Sequence, residues 1–262
     1  MNLTLKSFQE NQRKLNIPCD GCLSYGNCPY KSLNLDQQKK FSRQFVHKLK
    51  INEGDPIFHK GDKIYYTYNI KIGFVKTEFV LPNGSHQISQ FAIPGDLIGL
   101  DGLADGKHHL SAYALSDCEM CSIPFIELNK IIRIDPGAAV VIKKCMSEIL
   151  ISMQEHIFSL GTHSAEKKLA YFLLKFRNRL SQQAMRMDTL RLPMSREDLR
   201  SHLGVTIETL SRSFTYLEKN GYIEVKNREI NFIDDTALEN FVTTEKQTTK
   251  LSQQFYGARK YT

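Results

Sequence analysis

Cys19, Cys22 and Cys28 form a Cys-x2-Cys-x5-Cys run, and Cys121 is a candidate fourth sulfur far downstream. Thiolates on a short loop containing Pro18, Gly21, Gly26, Asn27 and Pro29 can converge on one point, because such residues let the backbone curl around a metal ion or cluster. The plainer alternative is a loop of free thiols. Near the other end, Glu208, Ser211 and Arg212 stand at i, i+3 and i+4 of a helical stretch and share one face. Their chemistry complements base edges: Arg donates bidentately to guanine, Glu accepts from the cytosine amine, and Ser makes a small neighbouring contact. Thr206, Thr209, Arg196 and Arg200 are better placed as groups that position the phosphate backbone. Thiolates joined to a base-reading helix point to a metal-sensing regulator of transcription.

The elements that must hold these residues follow from periodicity. Asn34 can cap a short amphipathic helix over residues 35–46, after which the texture changes to strands punctuated by glycine. Residues 66–72, 74–81 and 87–93 are rich in β-branched and aromatic side chains, and Asn83-Gly84 is a favoured type I′ hairpin pair. A compact antiparallel β-domain is expected to about Phe125. From Pro136 to Leu160 the period becomes helical. Ile142, Met146, Ile149, Met153, His156 and Leu160 step by 4, 3, 4, 3 and 4, an a/d seam that calls for a second helix, most simply that of a parallel homodimer. Val141, Cys145 and Ile157 form another apolar set that can pack back on the β-domain.

Gly161 to Ser164 interrupts that helix, and Ser164 can cap a new one over residues 165–180. Residues 190–193 read as a short strand. Ser195 with Asp198 opens a helix in capping-box fashion, Gly204 ends it, and Thr206 caps the next, which stops at Asn220-Gly221. Two short strands flanking Asn227-Arg228 complete a winged helix-turn-helix.

Composition agrees with a soluble globular chain: 262 residues, 41 % hydrophobic and 24 % charged. No apolar run reaches the roughly 18 to 20 residues a membrane helix needs, and the first residues lack a signal-peptide core. A cytoplasmic location is expected, where thiols stay reduced and clustered cysteines serve metals or redox sensing rather than disulfides. Of the net charge of +7, residues 163–262 carry +5, from 17 Lys/Arg against 12 Asp/Glu. That asymmetry suits a polyanion-binding module on a near-neutral partner domain.

The cysteine run, PGDLIGLDGL at 94–103, CSIPF at 121–125, AEKKLAYFL at 165–173 and LGVTIETLSRSFTYLEKNG at 203–221 together resemble the FNR group of bacterial regulators, within the cyclic AMP receptor protein superfamily. The resemblance covers nearly the whole chain outside the first dozen and last twenty or so residues. It implies an α+β architecture: a cysteine-rich segment over 1–34, a double-stranded β-helix (a cyclic-nucleotide-binding-like β-roll) over 35–135, a dimerisation helix over 136–161, a winged helix-turn-helix over 162–242 and a polar tail over 243–262. It implies a four-iron four-sulfur (4Fe-4S) cluster on Cys19, Cys22, Cys28 and Cys121, lost to oxygen or nitric oxide with weakening of the dimer and release of DNA. Cys118 competes locally, but residues three apart on a strand face opposite ways unless a bulge intervenes, and the CSIPF match selects Cys121. The recognition residues imply a two-fold site close to TTGAT, a four-base spacer and ATCAA, where the protein activates or represses according to position. The hairpin loop with Asn83 and Gly84 matches one that family members present to RNA polymerase.

Two departures stand out. Met153 occupies a position where the family commonly carries an acidic residue facing its copy across the seam, so a tighter apo dimer and a blunted switch are expected. Leu23 and Asn27 alter the surroundings of the sulfurs. Among rival readings, a cyclic-nucleotide sensor lacks support because residues 106–112 contain no arginine to neutralise a cyclic phosphate. Zinc is chemically suited to four thiolates and would make the segment structural. An enzyme is not expected, since no Ser/His/Asp set, phosphate-binding glycine loop or paired-carboxylate motif is present.

Overall fold

The computed structural model describes residue 28 and residues 47–80, 84–182 and 189–244. Cys19, Cys22, the expected helix over 35–46 and Asn83 lie outside them. The glycine-punctuated strands form two facing four-stranded antiparallel sheets. One has the order β1 (His47–Ile51), β8 (Cys118–Pro124), β3 (Tyr66–Ile72), β6 (Leu97–Ile98). The other runs β2 (Pro56–Phe58), β7 (Ser111–Ala114), β4 (Val75–Val80), β5 (His86–Ala92). Leu49, Phe58, Tyr68, Ile70, Val75, Ala112 and Met120 fill the space between them, the expected β-roll. Between β3 and β4, Gly73 has φ +91°, and a Cβ there would stand 2.5 Å from both the Asp117 carbonyl oxygen and Cys118 Sγ. Only glycine tolerates both constraints.

Helix α1 (Phe125–Ile134) follows β8 directly, and Asp135 then caps α2 (Pro136–Thr162) by accepting from the backbone of Gly137 at 3.0 Å and Ala138 at 3.2 Å. Pro136 suits the first turn, where its missing N–H costs nothing. Leu128, Ile131, Ala138, Ile142 and Cys145 bury against Leu97, Leu100 and Ile123, so the first half of α2 belongs to the outer core of the roll.

The residues expected on the seam therefore do not all lie on an uncovered side of α2. Ile142 is buried inside its own chain, Ile149 packs against the same core, and His156 stacks on His202, with ring centroids 4.1 Å apart. These three face inward because the roll and the C-terminal domain claim that side of the helix. Leu160 is half-buried and touches the Gly204 turn. The apolar side left uncovered is Met146, Leu150, Met153 and Ile157, again spaced 4, 3 and 4, flanked by Ile151 and Phe158. Met146 and Met153, expected on the seam, are exposed, and so is Ile157, which was expected to pack inward and is 68 % exposed.

Past α2, helix α3 (Ala165–Gln182) buries Leu169, Leu173, Phe176 and Leu180 against α4 (Arg196–Leu203), α5 (Ile207–Lys219) and a small sheet of β9 (Thr189–Arg191), β10 (Ile223–Lys226) and β11 (Glu229–Phe232). Helix α6 (Asp235–Thr243) closes the far side through Leu238. The same core takes in Ile88, Phe91 and Ile93 of the roll, so the two folded parts share apolar packing. Polar contacts join them too: Lys76 Nζ donates to Asp198 at 2.6 Å, Ile88 N to Ser201 Oγ at 3.1 Å, and Arg179 to Asp96 at 2.6 Å.

Candidate DNA-reading helix and sulfur site

Ser195 Oγ accepts from Asp198 N at 3.0 Å while the Asp198 carboxylate accepts from Ser195 N at 3.1 Å, closing the expected capping box on α4. Burial alone would raise the pKa of Asp198, but the Lys76 ammonium and Ser195 donors hold it below the usual carboxylate range. Gly204, with φ +62°, turns the chain into α5. There Thr206 Oγ1 accepts from Thr209 N at 3.2 Å. Leu210, Ser213, Phe214 and Leu217 bury one side of α5, which leaves Glu208, Ser211 and Arg212 exposed together on the other. Glu208 is held below its usual pKa by its own backbone N–H, then by Thr206, Arg212 and Arg200.

The flanking cations differ from one another. Arg200 engages Glu197, with Nε donating at 2.7 Å. Arg196 sits over the Phe214 ring, its guanidinium carbon 3.5 Å from the ring centroid, and reaches the Asn227 carbonyl at the wing turn at 3.4 Å. Its buried Nη1 has no hydrogen-bond partner. Gly84 is exposed at the β4–β5 turn with φ +82°.

The sulfurs sort by strand face. Cys118 turns into the roll, 2 % exposed, where its thiol contacts the carbonyls of Ser116 at 3.1 Å and Phe74 at 3.4 Å, and burial pushes its pKa up. Cys121 lies on the opposite face and is half-buried. Ile123, two residues further along that face, belongs to the outer core against which Cys28 also packs. Cys145 is buried in the same core, its thiol pushed up to about 11, first by burial. Among the described residues no three His, Cys, Asp or Glu side chains converge as a metal site.

Strand register sets Lys48, Cys121, Asn69 and Leu97 in one row across β1, β8, β3 and β6. Asn69 is 2 % exposed, yet its Nδ2 has no hydrogen-bond partner, and Thr67 Oγ1 on the same face is likewise unpartnered. Each such orphan costs on the order of 1–3 kcal/mol. Sequence reading missed both, because Thr and Asn inside a β-branched strand give no sign of lacking a partner.

On the roll's loop, Asp101 accepts from His108 Nδ1 at 3.1 Å and from the backbone of His109 at 2.6 Å and Leu110 at 3.1 Å. Burial opposes its charge, but these donors hold its pKa down. His108 in turn stacks on Phe58 at 3.8 Å. A Cβ on Gly102 would collide with the Lys107 carbonyl, so this loop is folded tightly on itself.

Two family models match this chain: a cyclic nucleotide-binding domain over residues 48–135 and a Crp-like helix-turn-helix domain over residues 167–241. Electron transport regulator A of Shewanella oneidensis is 33 % identical over 218 residues, 83 % of this chain and 87 % of its own length. The chain belongs to the CRP/FNR superfamily of transcription regulators. The fumarate and nitrate reduction regulatory protein of Escherichia coli is 30 % identical over 222 residues, covering 85 % of this chain and 89 % of that one. The structure of FixK2 from Bradyrhizobium japonicum superposes with a TM-score of 0.70 at 27 % identity, over 77 % of this chain and 99 % of that one. This member of the superfamily thus carries a helix-turn-helix DNA-binding domain on a β-roll, and its relatives are regulators. No helix among the described residues is long and apolar enough to cross a membrane.

Proposed function

We propose that this regulator is a cytoplasmic homodimer that responds to oxygen or redox state through a 4Fe-4S cluster on Cys19, Cys22, Cys28 and Cys121. On this reading it binds a palindrome close to TTGAT, a four-base spacer and ATCAA. The sensor half is carried by one observation: Cys121 stands on the outer face of β8, with Cys28 against the core beside it, while Cys118 turns inward. The donor chemistry fits, since thiolates suit iron–sulfur clusters and an unpartnered buried amide lies beside one of them. Such a cluster, when bound, supplies oxygen-labile iron and a one-electron couple.

What the chain contributes is coupling and readout. Ile123, Ala138, Ile142 and Cys145 share one core with Cys28, so any shift of the cysteine loop loads the first half of α2. The uncovered Met146, Leu150, Met153 and Ile157 on that helix offer the two-fold seam. A dimer sets two copies of α5 about 34 Å apart, one helical turn of DNA. Glu208, Ser211 and Arg212 then face base edges, and exposed Gly84 sits on the loop read as the RNA polymerase contact. Cyclic nucleotide is not the effector on this reading, because the Asp101 carboxylate already occupies the backbone donors of its loop.

Anaerobic reconstitution of Cys121→Ser and Cys118→Ser tests the assignment. The first is expected to lose iron, acid-labile sulfide and the broad visible band, while the second retains them. Equal retention by both removes Cys121 from the site. Colourless parent protein with stoichiometric zinc removes the sensor reading altogether.

A further inference from the structure

Asn69 presents a desolvated amide with no acceptor, in register with Cys121 on the outer face of the β1-β8-β3-β6 sheet. Directly opposed residues of antiparallel strands point the same way, with Cβ atoms about 4.5–5.5 Å apart. The amide is therefore a neighbour of Cys121 on that face, without bonding its sulfur in the protein alone, and is placed to meet a sulfur of a group bound just beyond it. On its other side Asn69 meets Leu97, which offers no side-chain acceptor. Thr67, fully buried two residues earlier on the same face, is a second orphan. Native proteins rarely leave such groups unsatisfied, and two of them beside a half-buried cysteine on one sheet face call for a common acceptor.

We propose that Asn69 is a positioning residue for the sensor, its Nδ2–H donating to sulfur at the Cys121 corner of the bound cluster, with Thr67 as a lesser donor nearby. The inference rests on the cluster assignment above. Hydrogen bonds to cluster sulfurs withdraw electron density, which favours the reduced state and raises the potential. Filling that flank with a bonded amide also limits access of oxygen to the iron that Cys121 holds. Asn69 thus sets how long the loaded regulator survives in air without itself ligating metal.

The test compares parent, Asn69→Leu and Asn69→Ser, each reconstituted anaerobically with iron and sulfide. Removing an orphaned donor leaves the apoprotein no less stable, so apo Asn69→Leu is expected to melt at or above the parent temperature. After loading, its visible band is expected to decay on the order of tenfold faster in air-saturated buffer, the scale of outer ligand-sphere effects, and its midpoint potential to fall. Asn69→Ser, which keeps a donor, is expected to recover part of the lifetime. Equal decay and equal potential in parent and Asn69→Leu would overturn the proposal. So would a fall in apo melting temperature, which would assign Asn69 to the fold instead. A parent that takes up no iron and sulfide at all defeats the cluster assignment itself, at a step read before any variant is compared.

Discussion

Arg212 is exposed beside Glu208 and Ser211, with the far side of α5 buried by Leu210, Phe214 and Leu217, so its guanidinium is free to meet a base rather than a neighbouring element. Arg212→Ala is expected to weaken operator binding by about 1–3 kcal/mol and to relax preference at one position of each half-site. Competition binding against single-base operator variants reads both, and an unaltered preference would refute the role. A different residue governs pH dependence. His202 is stacked on His156 and packed against Phe91 and Phe172, and burial, then His156, pushes its pKa down to about 3. The unfolded chain has an ordinary imidazole, near pKa 6.5, and takes up its proton first as pH falls. The stabilisation is thus complete above about pH 6.5 and drains away as pH drops toward about 3. His202→Phe should flatten the slope of unfolding free energy between about pH 6 and 4; an unchanged slope would show that His202 does not produce it. That Glu208, Ser211 and Arg212 share one exposed face of α5 was legible in the sequence because i, i+3, i+4 spacing fixes a helical face. The orphaned Asn69 and Thr67 were not, because satisfaction of a polar group depends on what lies across the sheet.

Helix α2 carries apolar residues on more than one side, and periodicity alone does not say which side the chain itself covers. Ile142, Ile149 and His156 had the right spacing for a seam but lie against the roll and α4, which leaves Met146, Leu150, Met153 and Ile157 uncovered. Met153 is common to both faces and is 39 % exposed. Met153→Asp would set two carboxylates against each other across the two-fold, so the variant is expected to dissociate at concentrations where the parent sediments as a dimer. A variant that stays as dimeric as the parent would show that the seam lies elsewhere. Two helices escaped sequence reading altogether. Helix α1 starts straight out of β8 at Pro124 with no side-chain cap to announce it, and α6 opens at Asp234 inside a stretch read only as the end of the domain.

Across the whole molecule, the roll and the DNA-binding domain are joined by contacts no local pattern reveals. Lys76 and Asp198 are 122 residues apart and each reads as an ordinary surface charge, yet they pair at the start of α4. The charge asymmetry between the two parts, by contrast, was plain from the sequence, as was the β-roll, long-helix and winged-helix order, because turn glycines and helix caps act locally. That joined architecture sets Cys28 against the outer core and the outer core against the first half of α2, and leaves one apolar side of α2 uncovered. The most direct test follows a single anaerobically reconstituted sample through operator titration, sizing, iron and sulfide assay, and then air. Coloured, iron- and sulfide-bearing protein is expected to bind the TTGAT-N4-ATCAA duplex tightly, with colour and affinity lost together on exposure. Pale, iron-poor protein that occupies the same duplex equally before and after air would contradict it.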